Sequence, residues 1–133
     1  MTPYDIVLAD DHILVRQGIK KIILEDADMR VVGEAGDGIE LLEILENLTP
    51  DLVILDISMP RLRGFAAAAK IKQLYPNIKV LILSMHRSKE YLRRALATGV
   101  NGYLLKEDAD LALFAAIETV RQGQTFVSPL LEK

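Results

Sequence analysis

The chain of 133 residues contains no cysteine, which excludes a disulfide framework and a thiolate metal site and suits a reducing compartment. It has no surplus of positive charge: 16 Lys and Arg against 19 Asp and Glu leave a net −3, which argues against a general nucleic-acid or anionic-membrane surface. No apolar run approaches the roughly 18 residues needed to cross a bilayer. The opening MTPYD has no basic region followed by an apolar run, so it does not read as a signal peptide. Half the residues are apolar, with 8 Gly and 5 Pro. One cytoplasmic domain with a real core and no membrane partner is therefore expected.

Four short apolar runs stand out: IVLA (6–9), LVIL (52–55), VLIL (80–83) and GYLL (102–105). The middle two carry nothing polar, as strands covered on both faces of a parallel sheet do. MRVVGEA (29–35), with Arg30 and Glu34, reads as an edge strand, where charge discourages pairing with another chain. Between the runs the period becomes helical. Val15, Ile19, Ile22 and Ile23 share one face. The next stripes are Leu41, Leu45 and Leu48; Ala67, Ile71, Leu74 and Tyr75; Tyr91, Leu92, Ala95 and Leu96; and Leu113, Ile117 and Val120. Asp37 with Glu40 resembles a capping box, Ser88 an N-cap and Gly99 a helix stop. Five strand–helix units in strict alternation predict an α/β fold with right-handed crossovers and helices on both faces. Ligands of such sheets bind beyond the carboxyl ends of the strands, where the winding reverses.

The residues just past each strand are the informative ones. Asp10 and Asp11 follow the first, Asp56 the third, Ser84 the fourth and Lys106 the fifth. Singly, each has an ordinary reading as a turn former, a cap or a solvated lysine. Together they place polar chemistry at one rim of the sheet. Carboxylates this close raise one another's pKa unless a cation intervenes, and Mg²⁺ suits an all-oxygen site with one or two carboxylates. Asp11 and Asp56 read as direct ligands, Asp10 as a ligand directly or through water, and a backbone carbonyl near Ser58 as a further oxygen. A carboxylate beside Mg²⁺ is able to attack a phosphoryl group. Lys106 would then offset the charge on the phosphoryl oxygens and the Ser84 hydroxyl would donate to one of them.

The DD after the first strand, Asp56 in LDISMPRLRG, Ser84 and Lys106 resemble the receiver domains of bacterial two-component response regulators. The spacings agree: 45 residues from Asp11 to Asp56, 28 to Ser84 and 22 more to Lys106. DDHILVRQGI, LSMH and ATGVNGYLLK resemble the NarL/LuxR-type subgroup, and GQTFVSP resembles the segment that joins such receivers to a helix-turn-helix domain. The resemblance implies a flavodoxin-like, five-stranded parallel sheet of order 2-1-3-4-5 with five helices. It implies a receiver over residues 1–122 and the start of a linker over 123–133, toward a DNA-binding output domain that cannot fit before Lys133. It implies that Asp56 accepts phosphate from a histidine kinase with Mg²⁺ held by Asp10, Asp11, Asp56 and the Ser58 carbonyl. Ser84 then follows the phosphoryl group, Lys106 pairs with it, and Tyr103 changes rotamer. The fourth helix, fifth strand and fifth helix would present an altered surface, with a homodimer among the possible partners.

Three positions depart from the common family pattern: Glu107 stands where many receivers have Pro, Ser58 where Asn is frequent, and Met85 where many have Ala. A thioether at 85 is expected to shield the phosphoryl group from water and slow its loss. His12 and His86 have no partner at ligand spacing, and Mg²⁺ prefers oxygen, so both are expected in loop or helix-start roles. Gly18, costly inside a helix, is expected to mark close packing. Arg87, Lys89, Arg93 and Arg94 make the fourth helix basic, as a solvated face or a docking face for an acidic partner. A stand-alone receiver acting by protein contacts is the alternative output. A Mg²⁺-dependent phosphohydrolase would need an acid/base Asp where Ser58 stands. A nucleotide or flavin domain would need a glycine-rich loop where ADDH stands.

Overall fold

The computed structural model describes residues 3–58 and 64–131, so Met59 to Arg63 of the LDISMPRLRG motif lie outside the described residues. Strands β1 (Tyr4–Ala9), β2 (Met29–Ala35), β3 (Leu52–Asp56), β4 (Lys79–Ser84) and β5 (Gly102–Leu105) alternate with helices α1 (Ile13–Leu24), α2 (Gly38–Leu45), α3 (Gly64–Leu74), α4 (Lys89–Ala97) and α5 (Ala109–Arg121). A two-residue strand β6 (Phe126–Val127) follows. All neighbouring strands run parallel, in the order β2-β1-β3-β4-β5-β6.

The apolar runs have no polar residue because both of their faces are covered. Val7, Ala9, Val53, Leu55, Val80, Ile82, Tyr103 and Leu105 point to one side, against Leu41, Leu45, Ala67, Ile71 and Ala95 of α2, α3 and α4. Their chain neighbours Ile6, Leu8, Leu52, Ile54, Leu81, Leu83 and Leu104 point to the other, against Ile19, Ile23, Leu113, Ile117 and Val120 of α1 and α5. β2 is an edge strand, and its charges are paired: Arg30 Nε donates to Asp5 Oδ1 at 2.6 Å and Glu34 meets Lys20 Nζ at 3.0 Å. Asp37 caps α2 through the Glu40 amide, and Ser88 caps α4 through the Tyr91 amide. Gly99, at φ 91°, follows the end of α4 in the left-handed region that favours glycine.

Three expectations need correction. The sheet has six strands, not five, and the sixth comes from the segment expected to begin a linker. Phe126 and Val127 pair with Gly102 and Tyr103, and the Ser128 amide donates to the Tyr103 carbonyl at 3.0 Å. The Ser128 hydroxyl accepts from the Leu105 amide at 2.8 Å, and Leu131 is buried in the core. A two-residue strand is too short for any periodicity to show. Gly18 is not packed: a Cβ there would meet nothing within 4 Å, so its cost in the helix is uncompensated by close approach. Leu74 and Leu96 turn outward, with Leu74 59% exposed, because each lies in the last turn of its helix, while Leu48, just past α2, is half-exposed with its side chain over Gly33 of β2.

Tyr4 opens β1 with its ring under the Arg121 guanidinium, 4.7 Å from the centroid. Its hydroxyl is buried without a hydrogen-bond partner among the described residues. Burial, with the Asp51 charge adding and Arg121 offsetting, pushes the phenol up to about 12. A raised folded-state value means that the stabilisation is complete below pH 10 and is lost as pH climbs from 10 to 12. There the unfolded chain gives up its phenol proton and the folded chain does not. The expected loss is up to about 2 kcal/mol, measured by urea denaturation across that range. Tyr4→Phe should keep only the alkaline loss due to Tyr103, whose phenol burial also raises. An identical alkaline limb in the variant would remove Tyr4 as its cause.

Candidate functional site

Four polar side chains are buried among the described residues: Asp10, Asp56, Ser84 and Ser128. Three of them stand at the carboxyl ends of β1, β3 and β4, and the fold brings them to one rim together with Lys106 at the end of β5. Lys106 Nζ lies 3.2 Å from Asp10 Oδ2 and 3.3 Å from Asp56 Oδ2. Both contacts are ion pairs, and apart from Lys106 each buried Oδ2 has no hydrogen-bond partner among the described residues. Asp11, one residue on, faces solvent.

The two buried carboxyls are driven apart in acidity. Burial by itself pushes Asp56 up. The Ser58 amide at 3.0 Å, the Lys106 charge and the Ser58 hydroxyl at 2.9 Å, both Ser58 groups donating to Asp56 Oδ1, outweigh it and hold the carboxyl below the usual range. At Asp10, burial wins: the nearby Asp56 charge adds to it, and the His12 amide and Lys106 offset it only in part, so the carboxyl is raised. Asp56 is the stronger acid of the pair and the one poised as an anion. Ser58 thus supplies two donors to the carboxylate it follows.

Local backbone rules place these groups. Asp10 Oδ1 accepts from the His12 amide at 2.8 Å, closing an Asx turn that turns β1 into α1. Asp56 makes the equivalent turn with Ser58. Gly64 opens α3 where a Cβ would stand 2.2 Å from the Ile57 Cα, so only glycine lets the start of α3 sit against the turn that carries Asp56. An open cleft of about 650 Å³, lined by His12, Val15, Met85, Lys106 and Glu107, leads to the carboxylates. Met85 is 72% exposed on its wall. Glu107 is tied to Arg87 by two hydrogen bonds of 2.7 and 2.6 Å, joining the loop after β4 to the turn after β5.

Ser84 and Tyr103 form a buried pair. The Tyr103 ring is fully buried; its hydroxyl donates to the His86 carbonyl at 3.0 Å and lies in hydrogen-bond contact with Ser84 Oγ at 2.9 Å. Ser84 Oγ also accepts from the His86 amide at 2.9 Å, so the Ser84 hydroxyl is held between Tyr103 and the loop after β4. The basic α4 face is partly committed: Arg94 stacks 4.4 Å over Phe65, and Arg87 is held by Glu107.

His12 is the residue that the sequence reading set aside. Its Nδ1 lies 3.2 Å from Asp10 Oδ1, 3.4 Å from Asp11 Oδ1 and 3.8 Å from Asp56 Oδ2. Asp10, Asp11, His12 and Asp56 each offer a donor atom, all within 4.8 Å of one another. The signal was present as the H of ADDH, but ligand spacing along the chain does not show it, because its partner Asp56 is 44 residues away. His86 takes no part in that cluster; its ring meets Tyr91, centroids 4.8 Å apart.

A parallel, doubly wound sheet with this acidic rim defines a class, and comparison with known proteins agrees. The model of the response regulator receiver domain matches residues 6–118. The chain belongs to the response regulator receiver family, in its NarL/LuxR-type branch. The transcriptional regulatory protein DegU of Brevibacillus brevis is 42% identical over 125 residues, covering 93% of this chain and 52% of DegU. A LuxR-family two-component response regulator from Aurantimonas sp. SI85-9A1 is 31% identical with a TM-score of 0.93, over 98% of this chain and 94% of that one. The isolated REC domain of RcsB from Salmonella enterica serovar Typhimurium, in the presence of the phosphomimetic BeF3⁻, is 28% identical. Its TM-score is 0.92, over 98% of this chain and 97% of that one. The chain spans about half the length of the curated relatives it matches. No helix among the described residues is long and apolar enough to cross a membrane.

Replacing Tyr103 by Phe removes the hydroxyl that Ser84 and the His86 carbonyl share. The expected result is a loss of about 1–2 kcal/mol in unfolding free energy, read as a lower urea midpoint at unchanged slope. An unchanged midpoint would show that the hydroxyl contributes nothing net to the fold.

Proposed function

We propose that this chain is the phosphoacceptor module of a signalling regulator, in which Asp56 receives a phosphoryl group from the phosphohistidine of a histidine kinase. The observation that carries the reading is the Asp56 carboxylate itself: buried, held ionised by Ser58 and Lys106, and one cleft away from solvent. An Asp56 oxygen attacks phosphorus, the N–P bond to the kinase imidazole breaks, and that imidazole takes up a proton. Lys106, already 3.3 Å from Asp56 Oδ2, offsets the charge that arrives with the phosphoryl oxygens. The Ser84 hydroxyl donates to one of them in exchange for its contact with Tyr103, and that exchange carries the change to β5.

The donor set fits Mg²⁺: two buried carboxyl oxygens with no partner among the described residues beyond Lys106, beside a third carboxylate reaching solvent, form a hard oxygen site. Asp10, Asp11, Asp56 and the Ser58 backbone carbonyl would hold the ion. Bound there, it would screen the phosphoryl oxygens from the Asp56 charge and orient the group for in-line attack.

The altered surface of α4, β5 and α5 would then act on an output. DegU is named a transcriptional regulatory protein, which supports control of transcription through a DNA-binding domain in a longer protein. On this reading residues 1–122 carry the receiver's signalling parts, the following segment, bound to the sheet edge as β6, leads on to the output domain, and a homodimer is the active form. The module is a cytoplasmic regulator, not a metabolic enzyme: it loads and loses its own phosphoryl group and turns over no separate substrate. The position where a phosphohydrolase of this fold needs its acid/base Asp is Ser58, whose groups instead serve Asp56.

Incubation with acetyl phosphate, with and without Mg²⁺, tests the reading by intact mass. A Mg²⁺-dependent, base-labile adduct of one phosphoryl group is expected, and it should be absent from Asp56→Asn. A folded chain that binds Mg²⁺ yet gains no adduct would refute phosphate acceptance. In the same assay Met85→Ala, which strips the exposed thioether from the cleft wall, should lose its adduct several-fold faster. Equal decay rates would dismiss the shielding role.

A further inference from the structure

Resting on the metal-dependent reading above, we infer that the His12 imidazole is a nitrogen donor to the same ion and biases the site from Mg²⁺ toward first-row transition dications such as Mn²⁺. The backbone of His12 occupies the N-cap position of α1, yet its side chain makes no capping hydrogen bond. The ring is turned instead to the carboxylates, with Nδ1 3.2, 3.4 and 3.8 Å from oxygens of Asp10, Asp11 and Asp56.

Those separations suit a shared ion. Donor atoms bound to one small dication at about 2.1 Å stand about 3.0 Å apart when adjacent and about 4.2 Å when opposite. All three distances fall in that window, and the whole four-residue set lies within 4.8 Å, so little movement closes it. The buried Oδ2 atoms of Asp10 and Asp56 are the independent sign that something binds here. They are nearly inaccessible, have no hydrogen-bond partner among the described residues beyond the Lys106 ion pairs, and point into the same cluster. Lys106 is a competing cation, 3.5 Å from Nδ1. It meets the Oδ2 atoms of Asp10 and Asp56, whereas His12 meets Oδ1 of Asp10 and Asp11, so the two share only Asp56 Oδ2.

Selectivity follows from donor type. Mg²⁺ takes oxygen and sheds water reluctantly, so an imidazole gains it little. Imidazole nitrogen binds the transition dications better, increasingly along the series from Mn²⁺ to Cu²⁺. The tautomer required carries its proton on Nε2 and leaves the Nδ1 lone pair free for the ion. Half of the His12 side chain is exposed, so its removal leaves the core untouched.

Mn²⁺ is the probe. Titration by isothermal calorimetry should give a Mn²⁺ affinity above that for Mg²⁺, and His12→Ala should lower the Mn²⁺ affinity about tenfold while changing that for Mg²⁺ less than twofold. Pulsed electron paramagnetic resonance of the Mn²⁺-loaded protein should show modulation from a directly bound ¹⁴N, lost in His12→Ala and kept in His86→Ala. Thermal unfolding without metal checks that each variant folds. Mn²⁺ that binds in an Asp56-dependent manner without that ¹⁴N signal would overturn the role of His12 and leave the Mg²⁺ reading standing. Absence of any Asp56-dependent binding of either ion would overturn both.

Discussion

The Lys106 ammonium between the buried carboxyls of Asp10 and Asp56 is the contact on which the rim of this molecule depends. Two like charges removed from water would drive one another neutral, and the fold answers with a cation from a third strand. The parallel register sets Asp10 level with Asp56 and with Leu104 of β5, so Lys106, two residues further on, stands over both carboxyls. The Ser58 donors then break the symmetry of the pair, so that Asp56 stays charged while Asp10 is raised. A rim built this way tolerates extra negative charge only with more positive charge beside it, and a metal ion with a phosphoryl group delivers both at once.

Much of this was legible in the residues, for a physical reason. A strand buried on both faces cannot hold a polar side chain cheaply, so LVIL and VLIL announce themselves and mark where they stop. The first polar residue after each run is then at the rim, and Asp10, Asp56, Ser84 and Lys106 were found by that rule alone. Helix stripes were less reliable at their ends. Leu74 and Leu96 keep the helical spacing but lie in the last turn and face outward.

What the sequence hid was contact between parts distant along the chain. β6 is two residues long and gains its identity only from the partner it finds in β5. Ser128 reads as a polar tail residue, yet it is buried because its hydroxyl accepts the Leu105 amide. His12 looked like a helix start, which its backbone is, while its ring belongs to the carboxylates. Gly18 offered the opposite lesson: a costly residue invites a packing reason, and none is found within 4 Å.

The Ser128 clip has a mechanical consequence. Its amide donates to the Tyr103 carbonyl and its hydroxyl accepts from the Leu105 amide, gripping β5, the strand that leads into Lys106. Any polypeptide continuing past Leu131 would therefore depart from a point fastened to the sheet edge. A displacement of β5 by a fraction of an ångström moves the anchorage itself, so the tether works as a crank fixed to the sheet and not as a loose string.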